Sequence, residues 1–329
     1  MEEMEIALAS DFGIYELSPE SMDEQMGKLE AAGISHVHWA HDWDYEYLYS
    51  QWEMLQIKEI LDKHHLKVKG VHASEGNTRC RVIGGQPVFV NRTRMRDFRK
   101  DFTSFNEYNR LAGVELLLNR VDLAALVGAE EIVTHMVVPY EDFENIPGFY
   151  DKYWEQVYKS FDEMESYCRA KGIRIAVENM ICTPKKYQYD KFDRLFDRYD
   201  PEYLGMCYDS GHSLITIEDE PREEDWKFVD RYKDRLIAMH LDDNLGIDYS
   251  LSKDIDGAIQ KSDKHWIPFD GIASWEKLCE IIAQSPYKLP LLLEIVVPKG
   301  TVEEEMAGLA KAKAVGEKLT KMVLQYREG

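Results

Sequence analysis

The feature that most restricts the fold is a repeated alternation of short apolar runs with longer amphipathic segments. Eight strand-like runs recur along the chain, at 5–10, 36–41, 68–74, 131–138, 174–180, 204–210, 236–243 and 289–297. The segments between them have helical periodicity, as in SPESMDEQMGKLEAAG (18–33) and WEQVYKSFDEMESYCRAKG (154–172). Strands that alternate with helices form parallel sheets, and eight such units without a break in composition predict a single (β/α)8 TIM barrel. No glycine-rich phosphate-binding turn follows any run, which disfavours a doubly wound open sheet.

The predicted organisation is one α/β domain over 1–329 with an enlarged loop after the third strand. This insertion, 75–106, is rich in arginine and is called the arm below. A second long loop is predicted at 244–273. The last segment, 301–326, is predicted to form a long helix, with acidic residues early and lysines late as the helix dipole favours.

Composition narrows the class of protein. The chain of 329 residues is 44% hydrophobic and 31% charged, which is typical of a globular enzyme. It has no apolar run long enough for a transmembrane helix and no recognisable signal peptide. Its five cysteines are scattered and contain no CxxC, which predicts reduced thiols and a cytoplasmic location. The net charge of −21 would repel phosphate backbones, so nucleic acid is not an expected partner. The lack of a long apolar run predicts no membrane partner.

Metal-ligand residue types lie at the ends of six successive strand-like runs: His72, His135, Glu178, Asp209, His240 and Glu294. The carboxyl ends of barrel strands meet on one face, which carries the active site in barrel enzymes. Each residue alone fits a core, cap or loop position, but together they predict one site. Glu294 is the most informative, because the apolar run continues past it and a buried carboxylate requires a cation or hydrogen bonds.

Further candidates lie close to these strand ends. The stretch CYDSGHSL (207–214) adds His212, and Gly211 lets the backbone turn that histidine back over the strand end. The loop KSDKHWIPFDG (261–271) offers Asp263 and His265, a weak pattern by itself. Trp39 is a candidate for stacking on a sugar, although core packing is the favoured interpretation. The neighbouring His36, His38 and His41 are interpreted as structural.

Five motifs at rising positions carry a resemblance: VENM, YDSGHS, HLDD, DKHWIPFDG and LLLEIV. Set in eight βα units, they resemble the xylose isomerase-like TIM barrel superfamily over nearly the whole chain. That group includes sugar phosphate isomerases and epimerases, ketose 3-epimerases and zinc-dependent AP endonucleases. The chain departs from ketose 3-epimerases after His240, where HLDD offers acids instead of an arginine. It also departs from a family Pro-Gly pair at 267–271.

The resemblance implies roles for the candidates. One divalent metal would be held by four residues: Glu178, Asp209, His240 and Glu294. Mn²⁺ suits this set first, with Mg²⁺, Co²⁺ and Zn²⁺ as alternatives. The predicted catalytic groups are Glu178, Glu294 and His135. The predicted substrate contacts are His72, His212, His265, Asp263 and Trp39.

The expected reaction is isomerisation or epimerisation of a sugar by removal of a proton next to a carbonyl, through a metal-bound enediolate. The alternative is the catalytic subunit of a C-glycoside deglycosidase, a lyase that acts on 3-oxo-glycosides with a smaller partner subunit bound through the arm. A homo-oligomer is the other predicted assembly. Lesser alternatives are an AP endonuclease and a non-enzymatic sugar-binding protein.

Overall fold

The structure is a computed structural model that describes residues 4–13, 18–41, 47–73, 80–83, 86–89, 100–181, 183–216, 223–297 and 300–328. The strands are β1 (Ala7–Ala9), β2 (His36–Trp39), β3 (Lys67–His72), β4 (Cys80–Ile83), β5 (Gln86–Phe89), β6 (Glu131–Thr134), β7 (Arg174–Glu178), β8 (Leu204–Asp209), β9 (Leu236–His240) and β10 (Leu292–Leu293). The helices are α1 (Pro19–Ala31), α2 (Gln51–Lys63), α3 (Glu107–Val127), α4 (Tyr140–Asn145), α5 (Phe149–Lys171), α6 (Lys185–Arg198), α7 (Ser210–Ile215), α8 (Trp226–Tyr232), α9 (Ile255–Ser262), α10 (Trp275–Gln284) and α11 (Val302–Glu328).

Eight strands form one parallel sheet in the order β10-β1-β2-β3-β6-β7-β8-β9. A parallel bridge between Leu241 and Leu293 joins the last strand to β9, so the sheet closes on itself. The helices between the strands cover its outer face. The prediction of a (β/α)8 barrel from the eight apolar runs is confirmed.

Local sequence explains where several helices begin and end. Ser50 and Glu53 form a capping box at the start of α2, and the Asn106 side chain accepts from the first backbone N–H groups of α3. The helices α3 and α5 end at Gly128 and Gly172, whose φ angles of 80° and 70° favour glycine.

The barrel interior is built from alternate strand residues, because side chains two apart in a strand face the same side. A small apolar cluster fills part of it: Val133, Ala176, Cys207, Ile237 and Ala238. Glu178, Asp209 and His240 each follow one of these residues by two positions. The small side chains therefore form a layer directly below the polar ends of β7, β8 and β9.

The two segments predicted as long loops both contain regular secondary structure. The arm contains an antiparallel hairpin, β4–β5, and its strand β4 contacts α4. Most of the arginine-rich remainder of the arm lies outside the described residues, so the predicted partner surface does too. The predicted loop at 244–273 contains the helix α9, which eight residues are enough to form. No helix in the described ranges is long and apolar enough to cross a membrane.

Candidate active site

Six predicted residues meet at the carboxyl end of the barrel. His72, Glu178, Asp209 and His240 are the last residues of β3, β7, β8 and β9. His135 and Glu294 directly follow β6 and β10. All six side chains are buried, and Asp209 and His240 are completely inaccessible. The structure therefore brings together the groups that the strand ends predicted.

Four of these residues form what is called the first cluster: Glu178, Asp209, His240 and Glu294. One ligand-type atom from each lies within 4.8 Å of the others. His240 Nδ1 is 3.1 Å from Glu294 Oε2 and 3.3 Å from Glu178 Oε2. His135 Nε2 lies 3.2 Å from the same Glu178 oxygen. His72 Nε2 lies 3.8 Å from it.

The donor set of the first cluster fits a divalent cation. Within the described part of the chain, Glu178 Oε2, Asp209 Oδ2 and both His240 ring nitrogens are buried without a partner at hydrogen-bond geometry. Buried carboxylate oxygens in that state are strongly unfavourable unless a cation compensates them. Three carboxylates with one imidazole are ligands that Mn²⁺, Mg²⁺, Co²⁺ and Zn²⁺ accept.

A second cluster lies beside the first and consists of His212, Asp263 and His265. His212 Nε2 is 3.6 Å from Asp263 Oδ2, and His265 Nε2 is 3.4 Å from Asp263 Oδ1. These three residues were predicted to contact substrate, and their ligand atoms also lie within the 4.8 Å that a cation would bridge. His265 has a φ of 47°, in the left-handed region that non-glycine residues adopt only rarely.

The electrostatics of the site reflect burial and crowding of charge. Burial and the charge of Asp242 raise the pKa of Asp209 well above its usual range. Burial also acts to raise the pKa of Glu294, but His240 and His265 hold it at about 2. Burial lowers the pKa of His265, but Asp263 and Asp242 raise it well above its usual value. Glu294 and His265 are therefore each stabilised in the charged form by neighbours of opposite sign.

The two aspartates of HLDD, which sequence analysis noted only as a departure, have separate structural roles. The Asp242 carboxylate lies 3.0 Å from His265 Nδ1. Asp243 accepts hydrogen bonds from the backbone N–H groups of Phe269 and Ala273 and from the Trp275 indole. Asp243 thus anchors the loop that follows His265.

Other contributing residues were also missed. Asn179 fixes the end of β8, because its side chain accepts from the Asp209 N–H at 2.8 Å and donates to the Asp209 carbonyl at 3.0 Å.

Burial and the charge of Glu294 raise the pKa of Asp11 to about 6. His38, interpreted as structural, lies in the barrel with its ring 5.1 Å from that of His240. Gly211 is required because a Cβ there would collide with the Asp242 carboxylate.

Trp39 is placed differently from the other predicted contacts. Its side chain is 1% exposed and belongs to the hydrophobic core. It stacks on the His41 ring at 4.4 Å and donates to the Tyr49 hydroxyl at 3.4 Å. The structure therefore favours the alternative of core packing for this residue.

The fold and the site together identify the class of this protein: a closed (β/α)8 barrel with carboxylate and imidazole side chains at the ends of its strands. Residues 26–312 match the family model for the xylose isomerase-like TIM barrel, and the chain belongs to this family. It is 30% identical over 311 residues to the uncharacterized protein y4fM of Sinorhizobium fredii, covering 94% of this chain and 92% of that protein.

Two further relatives are more distant. Inosose dehydratase 2 of Bacillus cereus is 23% identical over 192 residues, which cover 53% of this chain and 60% of that protein. The crystal structure of a D-tagatose 3-epimerase-like protein has a TM-score of 0.65 at 17% identity, over 98% of this chain and 99% of that one. The structural likeness supports the same fold.

Proposed function

We propose that this protein is a divalent-metal-dependent enzyme that removes a proton from the carbon next to a carbonyl in a sugar-like substrate. Isomerisation or epimerisation is the first candidate for the overall reaction. The observation that supports it most directly is the first cluster, in which buried carboxylate oxygens lack hydrogen-bond partners among the described residues and lie within 4.8 Å of one another.

Glu178, Asp209, His240 and Glu294 would hold the metal, Mn²⁺ first among the alternatives. When bound, the ion supplies a Lewis acid that polarises the substrate carbonyl and stabilises the negative charge that develops on proton removal. The second cluster would bind substrate hydroxyl groups or a further cation. Both interpretations use the same three side chains, and the metal content of the protein separates them.

The proton transfers are assigned to groups beside the first cluster. Burial acts to raise the pKa of Glu178, but His240 and His135 hold it well below the usual range. Glu178 is therefore ionised at neutral pH and can accept a proton from carbon, and Glu294 is ionised for the same kind of reason. His135 Nε2, at 3.2 Å from Glu178, is placed to receive or return that proton. Return of a proton from the opposite side, for which a protonated Glu294 is the candidate donor, inverts the carbon, and return to the neighbouring carbon isomerises the sugar.

Dehydration is a second candidate, supported by the sequence relation to a protein named inosose dehydratase. In this reaction the carboxylate takes the proton next to the carbonyl. The electron pair of the broken C–H bond forms a C=C bond, and the hydroxyl on the next carbon leaves as water after His135 protonates it. The first step is common to all these outcomes, so the same residues serve each.

Metal analysis tests the proposal before any substrate is known. Protein purified without chelator is expected to contain bound metal or to bind added Mn²⁺, whereas Glu178→Gln and Asp209→Asn are expected to lose it. Glu131→Gln is the matched control, because Glu131 is a buried glutamate on the neighbouring strand that belongs to neither cluster. A wild-type protein that binds no divalent ion would contradict the proposal.

Solvent exchange then tests the chemistry. The Mn²⁺-loaded enzyme is incubated in D₂O with neutral ketoses and with cyclic polyhydroxy ketones, and deuterium at the carbon next to the carbonyl is followed by NMR. Exchange with an epimer or isomer as product supports the first candidate, and exchange with loss of water supports dehydration. Metal binding without exchange on any substrate of either class would contradict proton abstraction from such substrates.

A further inference from the structure

Three imidazoles of the site are oriented by a backbone carbonyl. In each case Nδ1 lies at hydrogen-bond distance from the oxygen: His72 to Ala73 at 3.0 Å, His212 to Asn179 at 2.8 Å and His265 to Glu294 at 3.2 Å. A carbonyl oxygen only accepts, so Nδ1 carries the hydrogen in all three rings. The Nε2 atoms of all three rings therefore face the carboxylates of the clusters.

His240 is oriented the other way. Its Nδ1 faces the carboxylates of Glu294 and Glu178, at 3.1 and 3.3 Å. If Nδ1 offers its lone pair to the first cluster, Nε2 must carry the ring hydrogen. A ligating histidine almost always donates that second N–H to an acceptor, which fixes its tautomer and its orientation. Neither ring nitrogen of His240 has a hydrogen-bond partner in the described ranges.

His38 is the imidazole next to that ring inside the barrel. Its side chain is 1% exposed, and its ring centroid is 5.1 Å from that of His240 at an interplanar angle of 65°. This separation is short enough for a hydrogen bond between the two rings, although the structure itself shows none between them. Both His38 nitrogens are also unpartnered among the residues that the structure describes. Cys207 also interacts with the His240 ring through its side chain, but a thiol sulfur is a weaker acceptor than an imidazole nitrogen.

A glycine on the adjacent strand leaves space for the His38 ring. Gly70 lies in register with His38 across the β2–β3 pair. A Cβ added to Gly70 would lie 2.9 Å from His38 Nδ1 and 3.2 Å from Cε1. Any larger residue there would push the ring out of position, so the glycine keeps the imidazole against the underside of the first cluster.

We propose that His38 is a positioning residue that accepts the Nε2–H of His240 and so holds His240 with Nδ1 directed to the first cluster. The inference rests on the proposed metal at that cluster. It assigns His38 no contact with substrate.

The test is the dissociation constant for Mn²⁺ of the full-length protein, measured by titration with the metal alone. His38→Leu, which removes the acceptor, is expected to weaken binding about 10- to 100-fold. His38→Gln keeps an acceptor oxygen and is expected to recover most of the affinity. His36→Leu is the matched control, because His36 is a buried histidine two residues earlier whose ring meets Ser35. It is expected to stay within about threefold of wild type.

The outcomes separate this inference from the proposed function. Wild-type affinity in His38→Leu, or equal losses in His38→Leu and His38→Gln, would overturn the role of the acceptor. If His38→Leu does not fold, Gly70→Ala replaces it, because the added methyl group is expected to displace the His38 ring and weaken Mn²⁺ binding. An unchanged dissociation constant in Gly70→Ala would then overturn the inference. Absence of Mn²⁺ binding by the wild type would instead remove the proposed function. Co²⁺ absorption spectra of the variants give a second readout, since a rotated ligand changes the d–d bands.

Discussion

Replacing Glu131 with glutamine is predicted to make the protein more stable above neutral pH. The Glu131 side chain is buried at the start of β6 and is 2% exposed. Its cationic neighbours are distant, with Lys69 Nζ at 4.0 Å and Arg174 Nη2 at 3.7 Å. Burial raises the pKa of Glu131 to about 7, and the two cations lower it too little to compensate.

Whether stability rises or falls with pH depends on the number of protons that the folded and unfolded states bind. Between pH 4.5 and about 7 the folded protein keeps a proton on Glu131 that the unfolded chain has lost, so stability falls as pH rises through this window. The full difference between these pKa values corresponds to about 3 kcal/mol. Glutamine is neutral throughout and avoids this loss. Lys69 keeps other partners in the variant, since its Nζ donates to the Lys288 carbonyl at 2.9 Å.

Urea unfolding at several values between about pH 5 and 8 measures the effect in wild type, Glu131→Gln and Glu130→Gln. The advantage of Glu131→Gln is expected to grow with pH to about 3 kcal/mol. Glu130 is the control, because its more exposed carboxylate pairs with Lys288 at 2.7 Å, which lowers its pKa. Its variant is expected to be less stable than wild type by a nearly constant amount over this pH range, because the stabilisation from a lowered pKa is almost complete above the unfolded value of 4.5. Parallel profiles for wild type and Glu131→Gln would show that Glu131 stays ionised when folded and would refute the reasoning.

Three further substitutions test the candidate site. Glu294→Gln is expected to lower turnover by about 10²- to 10⁴-fold with an unchanged circular dichroism spectrum, and near-normal turnover would remove it from the mechanism. Gly211→Ala forces a methyl group against the Asp242 carboxylate and is expected to cost about 1–3 kcal/mol in urea unfolding; an unchanged midpoint would mean that the carboxylate moves freely. Asp243→Ala leaves buried N–H groups without an acceptor and should cost about 3 kcal/mol or more, whereas Asp243→Asn, which keeps one oxygen, should cost less.

The fold was predictable because the barrel strands are covered by helices and therefore read as apolar runs. The same parallel topology made the six strand-end residues predictable as one group. The hairpin in the arm was not predicted, and the contact between its strand β4 and α4 joins segments that no local pattern links. The helix α9 is too short for its periodicity to stand out within a polar loop.

Side-chain roles were harder to predict where they depend on neighbours. His38 follows His36 by two positions, so alternation places both on the same face of β2, but only the structure shows His240 across from one of them. The roles of Asp242 and Asp243 diverge because adjacent residues of an extended segment point to opposite sides. Trp39 was a candidate substrate contact because it lies at a strand end, but in the structure its side chain belongs to the hydrophobic core.

The pairing of β1 with β10 has a consequence for how the chain is made. Ala7 pairs with Leu292, so the ring closes between segments from nearly opposite ends of the sequence. Contacts of such long sequence separation form slowly, and during synthesis β1 keeps an unpaired edge until the last unit has left the ribosome. Glu294, the final residue of the first cluster, lies directly after β10. The segment that closes the ring therefore also supplies the last residue of that cluster.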